Sequence, residues 1–278
     1  MATTDAPAFE IPGFGGALIH PGDAEYDGAR AVFNGMIDRR PVLIARCSST
    51  TDVVAAVDFA RGQHLPLSVY GGGHAVTGAA VVDAGVCVDL RGMQEVTVDP
   101  DAKVAQVAGG CTWGQVDAAT QEHGLAVTGG RVPSTGVAGL ALGSGSGWLE
   151  RTHGFTCDNL LEAEVVAADG RIVTASETEN PDLFWAIRGG GGNFGIVTRF
   201  TFQLHDVSLV LGGMLIFPAP AGVEVVRAWR DWMTGAPDEL NSAIGCITAP
   251  PAPFVPEAAQ GQPIVAVVVC WVGPIDEG

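Results

Sequence analysis

The stretch SVYGGGHAVTGAA, residues 68–80, decides how this chain is read, because it leaves an apolar run, LPLSVY (65–70), that reads as a strand. Three glycines, Gly71, Gly72 and Gly73, then lead straight into His74. Glycine removes the side chain that keeps a backbone away from its neighbours, so a triplet leaving a strand marks main chain that passes close to something. A histidine at the end of the run adds an imidazole able to act as base or nucleophile near neutral pH. Upstream, PVLIARC (41–47) is a short apolar strand. Ser48 or Ser49 can cap a helix over TDVVAAVDFARGQ, in which Val53, Val54 and Val57 share a face. The order is strand, helix, strand, with a glycine-rich exit.

Composition limits what that exit can hold. The chain has 278 residues, 47% of them hydrophobic, with a mean hydropathy of +0.28. That is enough for one large domain or two ordinary ones around a sizeable core. Against 31 acidic residues stand 14 basic ones, a formal net charge of −17. Such a chain repels nucleic acid and anionic membrane surfaces, and neither is expected as a partner. It also has few cations for gripping a phosphate, so backbone N–H groups must carry a phosphorylated ligand. Cys47, Cys87, Cys111, Cys157, Cys246 and Cys270 are scattered without a C-x-x-C pair, and no metal site is expected. No basic start precedes an apolar run, and no stretch is apolar enough to span a bilayer, so the expectation is a soluble, cytoplasmic protein.

Residues 1–37 read as a polar arm with one short helix. Beyond the βα unit, VCVDL (86–90) and the alternating runs of 96–108 are strands, the latter a hairpin turning at Asp99-Pro100-Asp101. Residues 112–124 read as a helix stopped by Gly124, and 161–176 as a hairpin turning at Asp169-Gly170. Residues 180–189 form a short helix capped by Asn180 with Pro181 in its first position, followed by a strand over 195–205. From 209 the pattern is strand, helix, strand, strand, the opening of a second α+β domain. Its apolar face, carried by Val265, Val267 and Val269, is expected to lack cover.

Four glycine-rich clusters stand out: 70–78, 129–148, 153–160 and 188–198. Gly190, Gly192 and Gly195 match the dinucleotide spacing G-x-G-x-x-G. That motif works only with a strand before it and a helix after it, and here the order is reversed, which disfavours a nicotinamide-dependent dehydrogenase. Taken together, the clusters suit an acidic protein that holds a dinucleotide by several close backbone segments. Each N–H bond to a charged phosphate contributes about 1.5–3 kcal/mol.

Three segments, SVYGGGHAVTG, PSTGVAGLALGSGSGWLERTHGFTCDNLLEAEVVAADG and NPDLFWAIRGGGGNFGIVTRF, occur in that order. In them the chain resembles the berberine-bridge-enzyme-like branch of the vanillyl-alcohol oxidase superfamily of FAD-linked oxidases. The resemblance implies an α+β fold: a PCMH-type FAD-binding domain over 38–208, built of a small βαβ part and a larger mixed sheet with helices, then the start of an α+β substrate domain over 209–278. It implies FAD as cofactor, with Gly71, Gly72 and Gly73 carrying amides to the pyrophosphate and His74 bonded to the flavin 8α-methyl. Tyr70, Ala75, Thr77 and Gly78 would complete that loop. Pro133, Ser134, Thr135, Gly136, Gly139, Leu142, Gly143 and Gly145 would form the second wall, with Asn159, Gly195, Ile196 and Val197 a third.

Bicovalent relatives carry a cysteine just before Pro133, whereas this chain has Val132, so the resemblance implies a single link, through His74. Cys111 and Cys157 read as small core residues, His123 and His153 as structural, and Trp185 as core by its helical spacing. The implied reaction is hydride transfer to flavin from an alcohol, sugar or secondary metabolite, with O2 as acceptor; Thr135 lies where the family's oxygen-reactive face would be, and leaves oxidase and dehydrogenase both open. The family's tyrosine base belongs to a C-terminal segment, and the tyrosines here are Tyr26 and Tyr70, so no catalytic base is named. The substrate domain looks truncated, which leaves three expectations: a fragment of a longer enzyme, a partner chain that completes it, or a flavin-binding module without activity of its own.

Overall fold

The structure is a computed structural model that describes residues 9–278. The first eight residues of the expected arm lie outside the described residues. Along the chain come β1 (Ala17–Ile19), α1 (Tyr26–Arg30), β2 (Leu43–Arg46), α2 (Thr50–Gly62), β3 (Leu67–Tyr70) and β4 (Val86–Asp89). Next are β5 (Val96–Asp99), β6 (Val104–Ala108), α3 (Trp113–Gln121), β7 (Leu125–Ala126), α4 (Val137–Leu142) and α5 (Glu150–His153). Then follow β8 (Leu160–Val166), β9 (Ile172–Ser176), α6 (Pro181–Ile187), β10 (Ile196–Gln203) and β11 (His205–Asp206). The last are β12 (Leu211–Pro218), α7 (Gly222–Met233), β13 (Leu240–Thr248) and β14 (Pro263–Trp271). They divide into two compact units, one running up to Gly147 and resuming at Phe155–Asp206, the other made of Trp148–Gly154 and Val207–Gly278.

The first unit contains two main sheets. One has the order β1-β2-β4-β3, with β2, β4 and β3 parallel and β1 antiparallel at the edge. The βα unit is there, but β4 lies between the two strands that α2 connects. Val86, Cys87 and Val88 are all fully buried, as befits a parallel strand covered on both faces. Ser49, one of the two candidate caps, accepts the Asp52 N–H at 3.2 Å and starts α2. The buried face of that helix, Val53, Ala56, Val57 and Ala60, packs on Leu43, Ala45, Val86 and Val88. The arm departs from expectation: Ala17–Ile19 pairs with β2 and belongs to this sheet. Three residues are too few to display a strand period, so the pairing had no local signal.

The other main sheet is antiparallel throughout, in the order β5-β6-β10-β8-β9. Alternation along β10 turns Phe200 and Phe202 inward, where Trp113 of α3 meets Phe202 with ring centroids 6.2 Å apart. The Thr112 N–H donates to Gln115 Oε1 at 2.8 Å, which closes the first turn of α3.

The second unit is a three-stranded antiparallel sheet in the order β12-β14-β13. Within it, Arg151 of α5 donates to the carbonyls of Leu240 at 2.7 Å and Ala236 at 2.9 Å, which explains why 148–154 groups with this sheet. The expected bare face is corrected here. Val265 and Val267 are only 2% and 4% exposed, because the helix after β12 folds back on that face, with Gly222 set against Val265, while Val269 is half-buried. On the opposite face Ile264 and Ala266 bury against Ala249 and Val255. Reading α7 as one more element in a row, not as the cover of its own sheet, produced the wrong expectation. Among the described residues no helix is long and apolar enough to cross a membrane.

Candidate functional site

A cavity of about 890 Å³ opens within the first unit. Its walls are the exit of β3 (71–75), the loop into α4 with that helix (135–142), the turn after β8 (166–168) and the approach to β10 (191–197). From α2 come Val57, Ala60 and Arg61. A volume of this size suits a dinucleotide-sized ligand, and the lining is apolar and main-chain rather than charged.

Two glycines settle why the opening stretch has the composition it has. A Cβ on Gly72 would sit 2.2 Å from the Gly136 nitrogen, and one on Gly136 would sit 2.4 Å from the Gly72 nitrogen. The close approach is therefore first of all loop against loop: β3's exit and the entry to α4 touch backbone to backbone and form one corner of the cavity. Gly73 has φ of +71°, and a Cβ there would meet the Tyr70 hydroxyl at 2.3 Å. Past this corner the N–H groups of Gly72, Gly73, His74 and Ala75 meet no acceptor among the described residues. Amides without partners beside a cavity are the donors an anionic ligand needs.

The His74 Nε2 lies 3.1 Å from Ser134 Oγ, and its ring stacks on Phe33 with centroids 4.5 Å apart and planes 16° off parallel. The loop bearing Ser134 is fixed by α3, since the Gly114 N–H donates to Pro133 O at 2.9 Å and the Trp113 N–H to Thr135 O at 3.0 Å.

The structure brings Gly71, Gly72, Gly73, His74, Ala75, Thr135, Gly136, Gly139, Leu142, Gly195, Ile196 and Val197 together on the cavity wall. The other expected residues do not line it. Tyr70 turns away, its hydroxyl donating to Ala31 O at 2.7 Å. Thr77 and Gly78 offer their carbonyls to Arg39. Pro133 and Ser134 are exposed on the loop, Gly143 ends α4, and Gly145 packs on Thr156. Asn159 is buried, with Oδ1 2.6 Å from His205 Nε2. Residues of the wall that the sequence reading did not single out include Leu90, Leu140, Arg61 and 166–168, and the Phe33 stack on His74 was missed as well.

Other side chains are placed as follows. Trp185 is corrected: it is 76% exposed and belongs to no core. The α6 helix has only seven residues, so its spacing could not say which face turns inward. Cys111 and Cys157 are buried, and burial pushes the Cys111 thiol up to about 11. Tyr26 donates to Pro41 O at 2.6 Å, and burial raises both Tyr26 and Tyr70 above the usual phenol range. Among the described residues no group of three or more His, Cys, Asp or Glu side chains could hold a metal ion.

The cavity fits FAD on its own features: a dinucleotide-sized volume, unpaired amides at one corner, and aliphatic walls from Leu140, Leu142, Ile196 and Val197. Comparison with known proteins agrees. Residues 41–176 match the family model of the FAD binding domain. The chain is 36% identical over 261 residues to (R)-6-hydroxynicotine oxidase of Paenarthrobacter nicotinovorans, an alignment covering 94% of this chain and 56% of that protein. It superposes on the crystal structure of 6-hydroxy-D-nicotine oxidase from Arthrobacter nicotinovorans with a TM-score of 0.86 at 32% identity, covering 95% of this chain and 57% of that one. The chain belongs to the PCMH-type FAD-linked oxidase superfamily. The match to a berberine-bridge-enzyme-like protein of Physcomitrella patens, with a TM-score of 0.85 and 30% identity over 94% of this chain and 55% of that one, places it beside that branch. The α+β fold is that of the family, and its cofactor is FAD. The chain spans about half the length of the curated relatives it matches, or less.

Proposed function

We propose that this chain is the flavin-holding part of an FAD-dependent oxidoreductase. It would take a hydride from an alcohol, sugar or secondary metabolite, with O2 as the acceptor, and His74 would be the single covalent anchor of the cofactor. The observation that carries the reading is the glycine corner, where unpaired amides and the His74 imidazole share one cavity wall.

When bound, FAD supplies the hydride acceptor. The chain's own residues bind, orient and exclude water. The N–H groups of Gly72, Gly73, His74 and Ala75 would hold the pyrophosphate, in place of the cations that a chain of charge −17 lacks. Leu140, Leu142, Ile196 and Val197 would flank the rings and keep water away. Thr135 would stand at the oxygen side. Tyr70, Thr77, Gly78, Pro133, Ser134, Gly143, Gly145 and Asn159 would support the wall without lining it. Val132, 49% exposed, provides no second link, and the buried, raised Cys111 thiol is a poor thiolate donor. We further propose residues 38–208 as the FAD-binding domain and 209–278 as part of the substrate domain. Six free cysteines, five of them buried, support a reducing, cytoplasmic setting.

The test is denaturation of the purified, FAD-loaded protein. Flavin that stays on the polypeptide, and a peptide 68–91 heavier by FAD, are expected. His74→Ala is expected to keep FAD non-covalently. Free flavin released from the wild type would rule out the covalent anchor.

A further inference from the structure

His74 does not stand alone on its loop: the segment leading out of α1 grips the loop on both sides of it. The Phe33 N–H donates to Gly73 O at 3.0 Å, one residue before the histidine. Asn34 Nδ2 donates to Val76 O at 2.8 Å, two residues after it. Arg39 donates to Gly78 O at 2.8 Å and to Thr77 O at 3.2 Å. The Tyr70 hydroxyl, at the loop's other end, reaches back to Ala31 O. Phe33 is 71% exposed, so burial does not explain its position, yet its ring lies flat on the imidazole. The stack fixes the ring plane, and the 3.1 Å contact of Nε2 with Ser134 Oγ fixes the rotation within that plane.

We infer that residues 31–39 and Ser134 form a clamp that holds the His74 imidazole in the orientation in which it meets the flavin, with Phe33 and Ser134 as its positioning residues. The inference rests on the covalent anchor proposed above. The reactive tautomer is the one whose attacking ring nitrogen carries the lone pair. The new bond joins that nitrogen to the 8α-carbon as one 8α C–H bond breaks. The proton on the other nitrogen leaves to water, to which Ser134 is exposed. The two electrons and two protons released pass to O2, giving H2O2, so the account balances with dioxygen as the oxidant.

The experiment uses the whole chain, made free of flavin and then mixed with FAD. Attachment is followed by mass spectrometry of peptide 68–91, and the linkage isomer by NMR of the flavinyl-histidine. A single linkage isomer is expected. Phe33→Ala and Ser134→Ala are expected to slow attachment by about tenfold or more, since the reacting atoms lose their alignment. Phe33→Tyr and Ser134→Thr, which restore the ring and the hydroxyl, are expected to recover most of the rate. FAD affinity before attachment should change by less than about threefold in the two Phe33 variants, because the pyrophosphate amides are untouched. A mixture of linkage isomers in the wild type, or unchanged attachment rates in both alanine variants, overturns the clamp and leaves the covalent anchor standing. Absence of any covalent flavin overturns both.

Discussion

Gly72 and Gly136 sit so close that neither tolerates a β-carbon. Gly72→Ala must push the loop off α4's entry, because the obstructing atom is backbone and cannot rotate aside. The expected cost is about 1–3 kcal/mol, with a weaker hold on FAD, read by urea unfolding and FAD titration. A fully stable variant with native FAD affinity would show that the corner is not needed. Asp52 is the other residue with a sharp consequence. Burial pushes its carboxyl up, but the Ser48 hydroxyl at 2.7 Å and the N–H groups of Gly15 and Ser48 at 2.7 and 2.9 Å outweigh that and hold it below the usual range. A depressed folded value means the carboxylate's contribution is present above the unfolded value, near 3.9, and is lost as pH falls through the folded one. Asp52→Asn is therefore expected to destabilise the protein at pH 7 and to flatten the loss of stability on acidification below about pH 4. Parallel pH profiles for wild type and variant would contradict this.

At the scale of elements, β4 ends in a buried carboxylate that ties three pieces together. Asp89 accepts from Arg46 of β2 at 2.9 Å and from Arg91 at 2.8 Å, and Arg91 in turn donates to Ala29 O of α1 at 2.6 Å and lies 3.8 Å from the Tyr70 ring centre. Asp89→Ala removes the carboxylate that two guanidinium groups share, leaving Arg46 with Glu25 at 3.1 Å and Arg91 with Ala29 O. The two arginine side chains are 30% and 27% exposed, so water relieves part of the loss, and the expected destabilisation is at the low end of the buried-pair range, about 3 kcal/mol. Denaturant unfolding checks it, and a change below about 1 kcal/mol would show the network to be surface-like. Much of this level was legible. The β2–α2–β3 unit followed from local periodicity, and the cap was narrowed by capping chemistry to Ser48 or Ser49, of which Ser49 is the one used. The insertion of β4 between β2 and β3 was not, since sheet order leaves no period in a strand. The clusters around Gly72 and Gly136 were legible as loops, but their contact joins residues 64 apart, as the Phe33 stack joins residues 41 apart, and neither had a local signal. Val265 and Trp185 were misread for different reasons: alternation in a strand names a face without saying what covers it, and the seven residues of α6 are too few to name a face at all.

At the scale of the whole molecule, the second unit presents Leu215, Val223 and Trp232 at 55%, 66% and 54% exposure. Concentration-dependent association of this chain is expected in sedimentation velocity, and a single monomer species at all concentrations would contradict it. The first unit closes around a cavity that a dinucleotide would fill, so FAD at about 100 times its dissociation constant should add about 2.7 kcal/mol to its stability. The central claim, that the glycine-cornered cavity is a flavin site, is tested most directly by the visible absorption spectrum of the chain after incubation with FAD and gel filtration. The account predicts flavin bands co-eluting with the protein at close to one flavin per chain. A colourless protein peak, with all the flavin in the small-molecule fraction, would contradict it.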